Sequence, residues 1–176
     1  MGKGDAETAA RRLRLLQAEF LEPTRGEPGL RTGTRTSPPA PLHLGILDHM
    51  KASVEEVIAH TRQQAPNASP IPAEAGDVYD WCVQQTPHLD GERQAIRDAL
   101  IFRQSLEHAI AMGDIKAVRK LPCPGCGCYG LLWRAGAALC PYDRCTDSRG
   151  MANRWSLAQL AHHHVAFKKM LKTHAT

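Results

Sequence analysis

Apolar residues recur at steps of three and four positions along two long stretches of the chain, residues 42–64 and 91–112. This spacing is typical of amphipathic helices, in which such positions share one face. The apolar positions are Leu47, Met50, Val54, Val57 and Ile58 in the first stretch, and Ala95, Ala99, Phe102, Leu106 and Ala109 in the second. Because each stripe can be buried against the other, the pattern predicts a mainly α fold built on an antiparallel helical hairpin.

Residues that favour helix ends bound the second of these helices. Asp90 is placed to cap its N-terminus, and Gly113 follows its last turn. A shorter helix is predicted over residues 77–85, with Asp77 as its cap. Charged side chains between the apolar positions of the second long helix are expected to face water, namely Arg93, Arg97, Arg103 and Glu107.

The sequence before the hairpin divides into a helix and a linker. Apolar positions within residues 1–21 predict an N-terminal helix, which either docks loosely on the rest of the protein or contacts a partner. Residues 22–41 are rich in Pro, Gly, Thr and Arg and are predicted to form a flexible linker. The helical domain is then assigned to residues 42–120.

The pattern beyond the helical domain changes to that of short strands. Residues 129–133 suit a strand, residues 134–136 offer a turn that contains a glycine, and residues 137–139 can return antiparallel to the first strand. We therefore expect a small β-hairpin in this part of the chain.

The last segment, residues 151–176, is predicted to form a C-terminal helix. Ser156 and Gln159 have the spacing of a capping box ahead of a new apolar stripe. Three consecutive histidines on this helix, residues 162–164, invite a metal-site interpretation. Neighbouring residues of a helix point about 100° apart, however, so we expect these histidines to be ordinary surface and boundary residues.

Two pairs of cysteines lie at the two ends of the predicted hairpin. Cys123 and Cys126 precede its first strand, and Cys140 and Cys145 follow its second. A hairpin with a cysteine pair at each end is the arrangement of a zinc ribbon, in which four thiolates bind one Zn²⁺ ion. Four protein ligands leave no position for water or substrate, so the zinc is predicted to be structural. The ribbon is assigned to residues 121–150.

A fifth cysteine in the same segment, Cys128, is surplus to this set. On a strand that leaves the turn it can point aside, although it could replace Cys126 if the turn is remodelled. A redox-active Cys-x-x-Cys motif is the competing interpretation, but the βαβ context that such motifs require is missing. Cys82 lies far from the other cysteines and is expected to be a buried small hydrophobe.

Membrane and export signals are not evident in the sequence. No apolar run reaches the roughly 18 residues that a membrane span needs, and the start of the chain lacks the apolar core of a secretory signal. We therefore expect a cytoplasmic protein that does not enter a membrane. In a reducing compartment, clustered cysteines favour a metal site over disulfides.

Four segments together resemble a known but poorly characterised group of proteins. They are "PAPLHLGILDHMKASVEEVIAH", "CPGCG", "LCPYDRC" and "RWSLAQLAHHH". They resemble zinc-ribbon proteins encoded by actinobacteria, their phages and integrated elements, over about residues 38–166. The resemblance implies zinc ligands at Cys123, Cys126, Cys140 and Cys145 and no established catalytic residues. Cys128 departs from the pattern of that group.

The charge of the chain bears on its partners. The net charge is +4, and residues 121–176 hold seven basic and two acidic residues, a net charge of +5 for that part. This basic bias permits contact with phosphate groups. On the predicted hairpin, Tyr129 and Trp133 are candidates to stack on bases and Arg134 to pair with phosphate. Nucleic acid or the transcription machinery is therefore one predicted partner, which suits a regulatory protein of a phage or mobile element.

The alternative prediction is a protein-interaction or assembly module. In this interpretation the helical hairpin presents a surface to a protein partner, and the zinc only stabilises the fold. The sequence contains no nucleophile elbow, P-loop, His-Glu-x-x-His motif or dinucleotide-binding βαβ motif. We therefore predict that the protein is not an enzyme.

Overall fold

The computed structural model describes residues 3–21 and 44–173, which are mainly helical with a small antiparallel sheet. The helices are α1 (Lys3–Leu21), α2 (Leu44–Gln64), α3 (Val78–Gln85), α4 (Gly91–Ala111), α5 (Lys116–Arg119) and α6 (Leu157–Thr173), with a 3-10 turn at Ala75–Asp77. The strands are β1 (Leu132–Arg134), β2 (Ala137–Leu139) and β3 (Arg154–Trp155). This architecture confirms the predicted fold class, and the predicted linker, residues 22–41, lies outside the described residues.

The residues predicted to bound α4 lie at its two ends. The carboxylate of Asp90 accepts hydrogen bonds from two backbone N–H groups of the first turn, at 3.1 and 2.8 Å, and Gly113 follows the last turn with a φ of 77°. Asp77 does not cap α3 as expected. Its carboxylate forms an ion pair with Arg14 of α1 instead, which ties α1 to the start of α3.

α2 and α4 form the predicted antiparallel hairpin, but their apolar stripes do not pack against each other as expected. The stripe of α2 packs with α1 and α3, whereas the stripe of α4 packs with α6 and the sheet region, so the contacts between α2 and α4 are mainly polar. The antiparallel direction is seen in three hydrogen-bonded pairs between the helices. They are His49–His108, Ser53–Gln104 and Glu56–Arg103. No helix in the described ranges is long and apolar enough to cross a membrane.

A buried polar network joins this hairpin to α3. His108 of α4 lies between His49 of α2 (Nδ1 to Nε2, 3.0 Å) and the hydroxyl of Tyr79 in α3 (2.7 Å from Nε2). The amide of Gln104 donates to α2, so its oxygen Oε1 accepts the hydrogen of the Tyr79 hydroxyl, at 2.9 Å. The Tyr79 oxygen then accepts from Nε2 of His108, which assigns the neutral Nε2–H tautomer to His108. Burial lowers the pKa of His108 to about 3.

α1 is a core helix and not the loosely docked segment that the sequence suggested. Its inward positions are almost completely buried, namely Ala6, Ala9, Ala10, Leu13 and Leu16. They share one core with apolar residues of α2, α3 and α4. Three of these five positions are alanines, whose short side chains allow close packing against neighbouring helices. The spacing of the leucines and Phe20 alone does not reveal this face.

Arg97 is buried, with 4% of its surface exposed, although its place on α4 suggested a side chain in water. Its Nε and Nη2 donate to Asp98 at 2.9 and 2.7 Å, and its Nη1 donates to the carbonyl and hydroxyl of Thr86 at 3.1 Å. The charge is tolerated because these partners satisfy the guanidinium inside the protein.

The β-sheet has one more strand than the sequence predicted. The order is β1-β2-β3, and both neighbouring pairs are antiparallel. Ala135 and Gly136 connect β1 to β2 with φ values of 48° and 73°, and positive φ at both positions is typical of a type I′ hairpin turn. β3 extends the sheet beyond residue 150 and leads directly into α6.

The sheet does not have a separate core. Leu131 and Ala138 of the sheet region are buried in one cluster with Leu106 of α4, Val118 of α5 and Leu160 of α6. Buried cysteines belong to the same cluster. The hydrophobic core therefore runs across residue 121, the predicted border between the helical domain and the ribbon.

Candidate metal centre

Four cysteine side chains converge at one end of the sheet. The sulfur atoms of Cys123, Cys126, Cys140 and Cys145 all lie within 4.8 Å of one another. Two of the distances are 3.7 Å, between Cys123 and Cys145, and 3.6 Å, between Cys126 and Cys140. Cys126 is exposed, whereas the other three cysteines are buried. The residues that the cysteine spacing selected are therefore brought together by the fold.

The chain turns tightly around Cys123. Its carbonyl accepts a hydrogen bond from the N–H of Gly127, and its own N–H donates to the carbonyl of Cys128, each at 2.8 Å. Gly127 has a φ of 73°, a conformation that L side chains rarely adopt and glycine adopts freely. This turn directs the backbone N–H groups of Gly125 and Cys126 at the Cys123 sulfur.

The second cysteine pair is held by a comparable turn and by the strand beside it. The N–H of Cys145 donates to the carbonyl of Tyr142 at 2.8 Å, and the N–H of Tyr142 is directed at the sulfur of Cys140. The backbone of Asn153 bonds to both cysteines, since its carbonyl accepts from Cys140 and its N–H donates to Cys145, each at 3.1 Å. The third strand region thus fixes the spacing of this pair.

Three residues that we did not select from the sequence complete the surroundings of the sulfur atoms. The side-chain amide of Asn153 donates to the sulfur of Cys145 at 3.3 Å. A Cβ atom on Gly125 would lie 3.3 Å from that sulfur and 3.3 Å from the ring of Trp155. Gly125 lies between the first two cysteines, so the sequence pattern could have indicated it. Asn153 and Trp155 follow the last cysteine, in the region of β3, and the cysteine pattern does not indicate them.

The electrostatics of the cluster favour a bound cation. Burial alone would raise the pKa of Cys123, but the N–H groups of Gly125 and Cys126 outweigh it, and the pKa falls to about 7. Burial raises the pKa of Cys140 to about 12, and the neighbouring thiols act in the same direction. Four thiolates so close together therefore need a positive charge among them.

The sulfur–sulfur distances fit metal coordination and not a disulfide. A disulfide requires about 2.05 Å between sulfurs. Ligands of a tetrahedral ion with metal–sulfur bonds of about 2.3 Å lie about 3.8 Å apart, close to the 3.6 and 3.7 Å found here. The cluster could therefore hold a metal ion. Within residues 3–21 and 44–173, no other group of three or more His, Cys, Asp or Glu side chains has such an arrangement.

Cys128 and the three histidines lie outside the cluster. The side chain of Cys128 is exposed. His164 stacks on the ring of Phe102 in α4, with ring centres 3.9 Å apart, and burial lowers its pKa to about 4, helped by the charge of Lys168. His164 therefore serves the packing of α6 on α4.

The three candidate nucleic-acid residues do not share one surface. Tyr129 is 63% exposed and Arg134 is exposed. Trp133 precedes Arg134 on β1, and its side chain lies on the opposite face, where it packs against the core under the sheet.

Comparisons with protein-family models, with curated proteins and with solved structures gave no match.

Proposed function

We propose that Cys123, Cys126, Cys140 and Cys145 hold one Zn²⁺ ion and that this zinc is structural. The observation that carries the proposal is the convergence of four sulfur atoms within 4.8 Å of one another, with two of the distances at 3.6 and 3.7 Å. Thiolate ligands favour zinc over magnesium or calcium, which prefer oxygen. When bound, zinc supplies the positive charge that keeps all four thiols deprotonated, and it links the turns before β1 and after β2.

A zinc ion with four protein ligands has no free coordination position, so it cannot activate water or polarise a substrate. We infer that the protein is not an enzyme. The role of the metal in this proposal is to hold the sheet in shape beneath a surface that binds another molecule.

We infer that this surface is the outer face of the sheet and that it contacts nucleic acid. The register places Leu132, Leu139 and Arg154 in one row across the three strands, and Arg134 lies on the same face two residues from Leu132. Leu132 is 45% exposed, and both arginines are exposed. Tyr129 precedes β1 in the chain, and its exposed ring is available to stack on a base.

The two arginines of the outer face are free to meet phosphate. Neither Arg134 nor Arg154 forms an ion pair with any residue of the described ranges. Strand spacings of about 4.8 Å and a rise of about 3.4 Å per residue place their Cα atoms about 12 Å apart. Two flexible guanidinium groups at that separation can contact phosphates of one strand, and such contacts require no sequence recognition.

The experiment that tests this function is a salt-dependent binding measurement. Fluorescence anisotropy with labelled single-stranded DNA, RNA and duplex DNA should give an affinity that falls as salt rises. The double variant Arg134→Gln/Arg154→Gln should bind more weakly and reduce the salt slope by about 2. The matched control is Lys51→Gln/Arg93→Gln, which removes two exposed charges elsewhere and should bind like the wild type.

Absence of binding by the wild type, or equal loss in both double variants, would contradict the nucleic-acid proposal. The alternative, an assembly module that meets its partner through the helical hairpin, would then be favoured, with the zinc site unaffected. The resemblance to zinc-ribbon proteins of actinobacterial phages and mobile elements stays a prediction.

A further inference from the structure

A cleft of about 660 Å³ lies between α1, the C-terminal end of α4 and the residues that lead into the ribbon. Its lining includes the charged residues Glu7, Arg11, Arg12, Asp114 and Lys120. None of the five forms an ion pair with any other residue in the part of the chain that the structure describes. Asp114 attracts Arg12 across the cleft without a direct ion pair, and charged side chains that converge in this way are candidates to bind a charged ligand.

Arg12 is the best fixed of these side chains. Its Nη1 donates to both the carbonyl and the hydroxyl of Ser105, each at 2.8 Å, which holds the guanidinium against the wall of the cleft. Its Nε and Nη2 make no hydrogen bond to any described residue. Burial lowers the pKa of Arg12, but a guanidinium stays charged under all ordinary conditions. A half-buried guanidinium with unused donors is suited to an oxyanion, which accepts two parallel hydrogen bonds.

The lining of the cleft carries a small net positive charge, which favours an anion. Arg11 and Lys120 add two positive charges to the cleft, and Glu7 and Asp114 add two negative ones. The net charge of the lining is therefore +1, which suits a phosphate group whose oxygens bind the three cations and lie away from the two carboxylates. The two carboxylates limit the affinity, and this gives the site a signature of opposite signs: removing a cation weakens binding, and removing an acid strengthens it.

We propose that this cleft is a phosphate-binding site, with the phosphate oxygens on Arg12 and with Arg11 and Lys120 providing further charge. The phosphate belongs either to a small ligand or to a nucleic-acid strand. The volume of the cleft, about 660 Å³, is in the range of sites that hold a small organic ligand. The proposal depends on neither the zinc ion nor the outer face of the sheet.

The test is a titration of the full-length, zinc-loaded protein with inorganic phosphate at constant ionic strength, with chloride as the reference anion. Nuclear magnetic resonance should show a saturable shift of the Nε–H signal of Arg12. Arg11→Gln and Lys120→Gln should each weaken phosphate binding by about two- to fivefold, and Asp114→Asn should strengthen it by a similar factor. These residues are exposed, so the variants should fold.

Matched charge changes outside the cleft serve as controls. Lys116→Gln on α5 and Asp48→Asn on α2 alter exposed charges that do not line the cleft, and they should leave the phosphate affinity unchanged. The proposal is wrong if phosphate leaves the Arg12 signal unmoved, or if the control variants change the affinity as much as the cleft variants do.

A second arm distinguishes the source of the phosphate group. If a nucleic-acid strand occupies the cleft, Arg11→Gln and Lys120→Gln should also weaken binding of short single-stranded DNA by about two- to fivefold. If a small ligand occupies it, these variants should reduce the affinity for inorganic phosphate alone. Both outcomes support the proposed phosphate site. If inorganic phosphate does not bind the cleft, the site proposal is wrong, and the separate test of Arg134 and Arg154 is not affected.

Discussion

Replacing His108 by glutamine should make the stability of this protein less sensitive to acid. His108 is completely buried between His49 and Tyr79, and burial lowers its pKa from 6.5 to about 3. Because the folded-state pKa lies below that of the unfolded chain, the neutral ring contributes stability that is present above pH 6.5. That contribution is lost as the pH falls toward 3.

The size of the effect follows from these two pKa values. Between about pH 8 and about pH 5.5 the unfolded chain gains a proton at His108 and the folded protein does not, which costs about 1.4 kcal/mol of unfolding free energy. The glutamine amide in the His108→Gln variant can still donate toward Tyr79 but does not titrate. The wild type should therefore lose about 1.4 kcal/mol more than the variant across this range.

Urea unfolding followed by the helical circular dichroism signal, in zinc-saturated buffer at several pH values, measures this difference. The four clustered cysteines lie away from His108 and are present in both proteins, so their own titration cancels in the comparison. The variant will be less stable at every pH because it loses packing, but only the pH dependence matters here. Equal pH dependence in both proteins would refute the assignment of His108 as a buried, neutral histidine.

The remaining predictions concern the metal centre and the α4 cap. In a chelator competition assay, Cys126→Ser should lose the metal and Cys128→Ser should keep it, because Cys128 lies outside the sulfur cluster; the reverse outcome would show that the ligand set is wrong. Gly125→Ala should weaken metal binding by about 1 kcal/mol, because its Cβ would lie 3.3 Å from the sulfur of Cys145; unchanged affinity in the same assay would contradict this. Asp90→Ala should lower the free energy of unfolding by about 1 kcal/mol in urea titrations, since α4 loses its cap, and an unchanged midpoint would mean that the cap is dispensable.

The features that the sequence predicts well are those whose determinants lie close together along the chain. The capping box of Ser156 and Gln159 forms as expected, with hydrogen bonds of 2.8 and 3.2 Å. The hairpin turn at Ala135 and Gly136 likewise needs only local backbone conformation. The predicted metal ligands are two short cysteine pairs at the ends of one such hairpin, so local geometry is enough to bring them near each other.

The features that the sequence does not predict depend on contacts between different elements of the fold. Burial of Arg97 depends on the carbonyl and hydroxyl of Thr86 before α4 and on the carboxylate of Asp98, which together accept its hydrogen bonds inside the protein. The packing of α1 depends on a face of alanines, which have no strong apolar signal of their own. Asn153 reaches the sulfur of Cys145 only because β3 pairs with β2. In each case tertiary contact decides what a local pattern leaves open.

Elemental analysis tests most directly whether the cysteine cluster holds a single structural zinc. Purified protein kept under reducing conditions should contain about one zinc per chain, because the described residues include one complete set of four clustered thiols. Protein that contains no zinc, or two zinc ions per chain, would contradict the account.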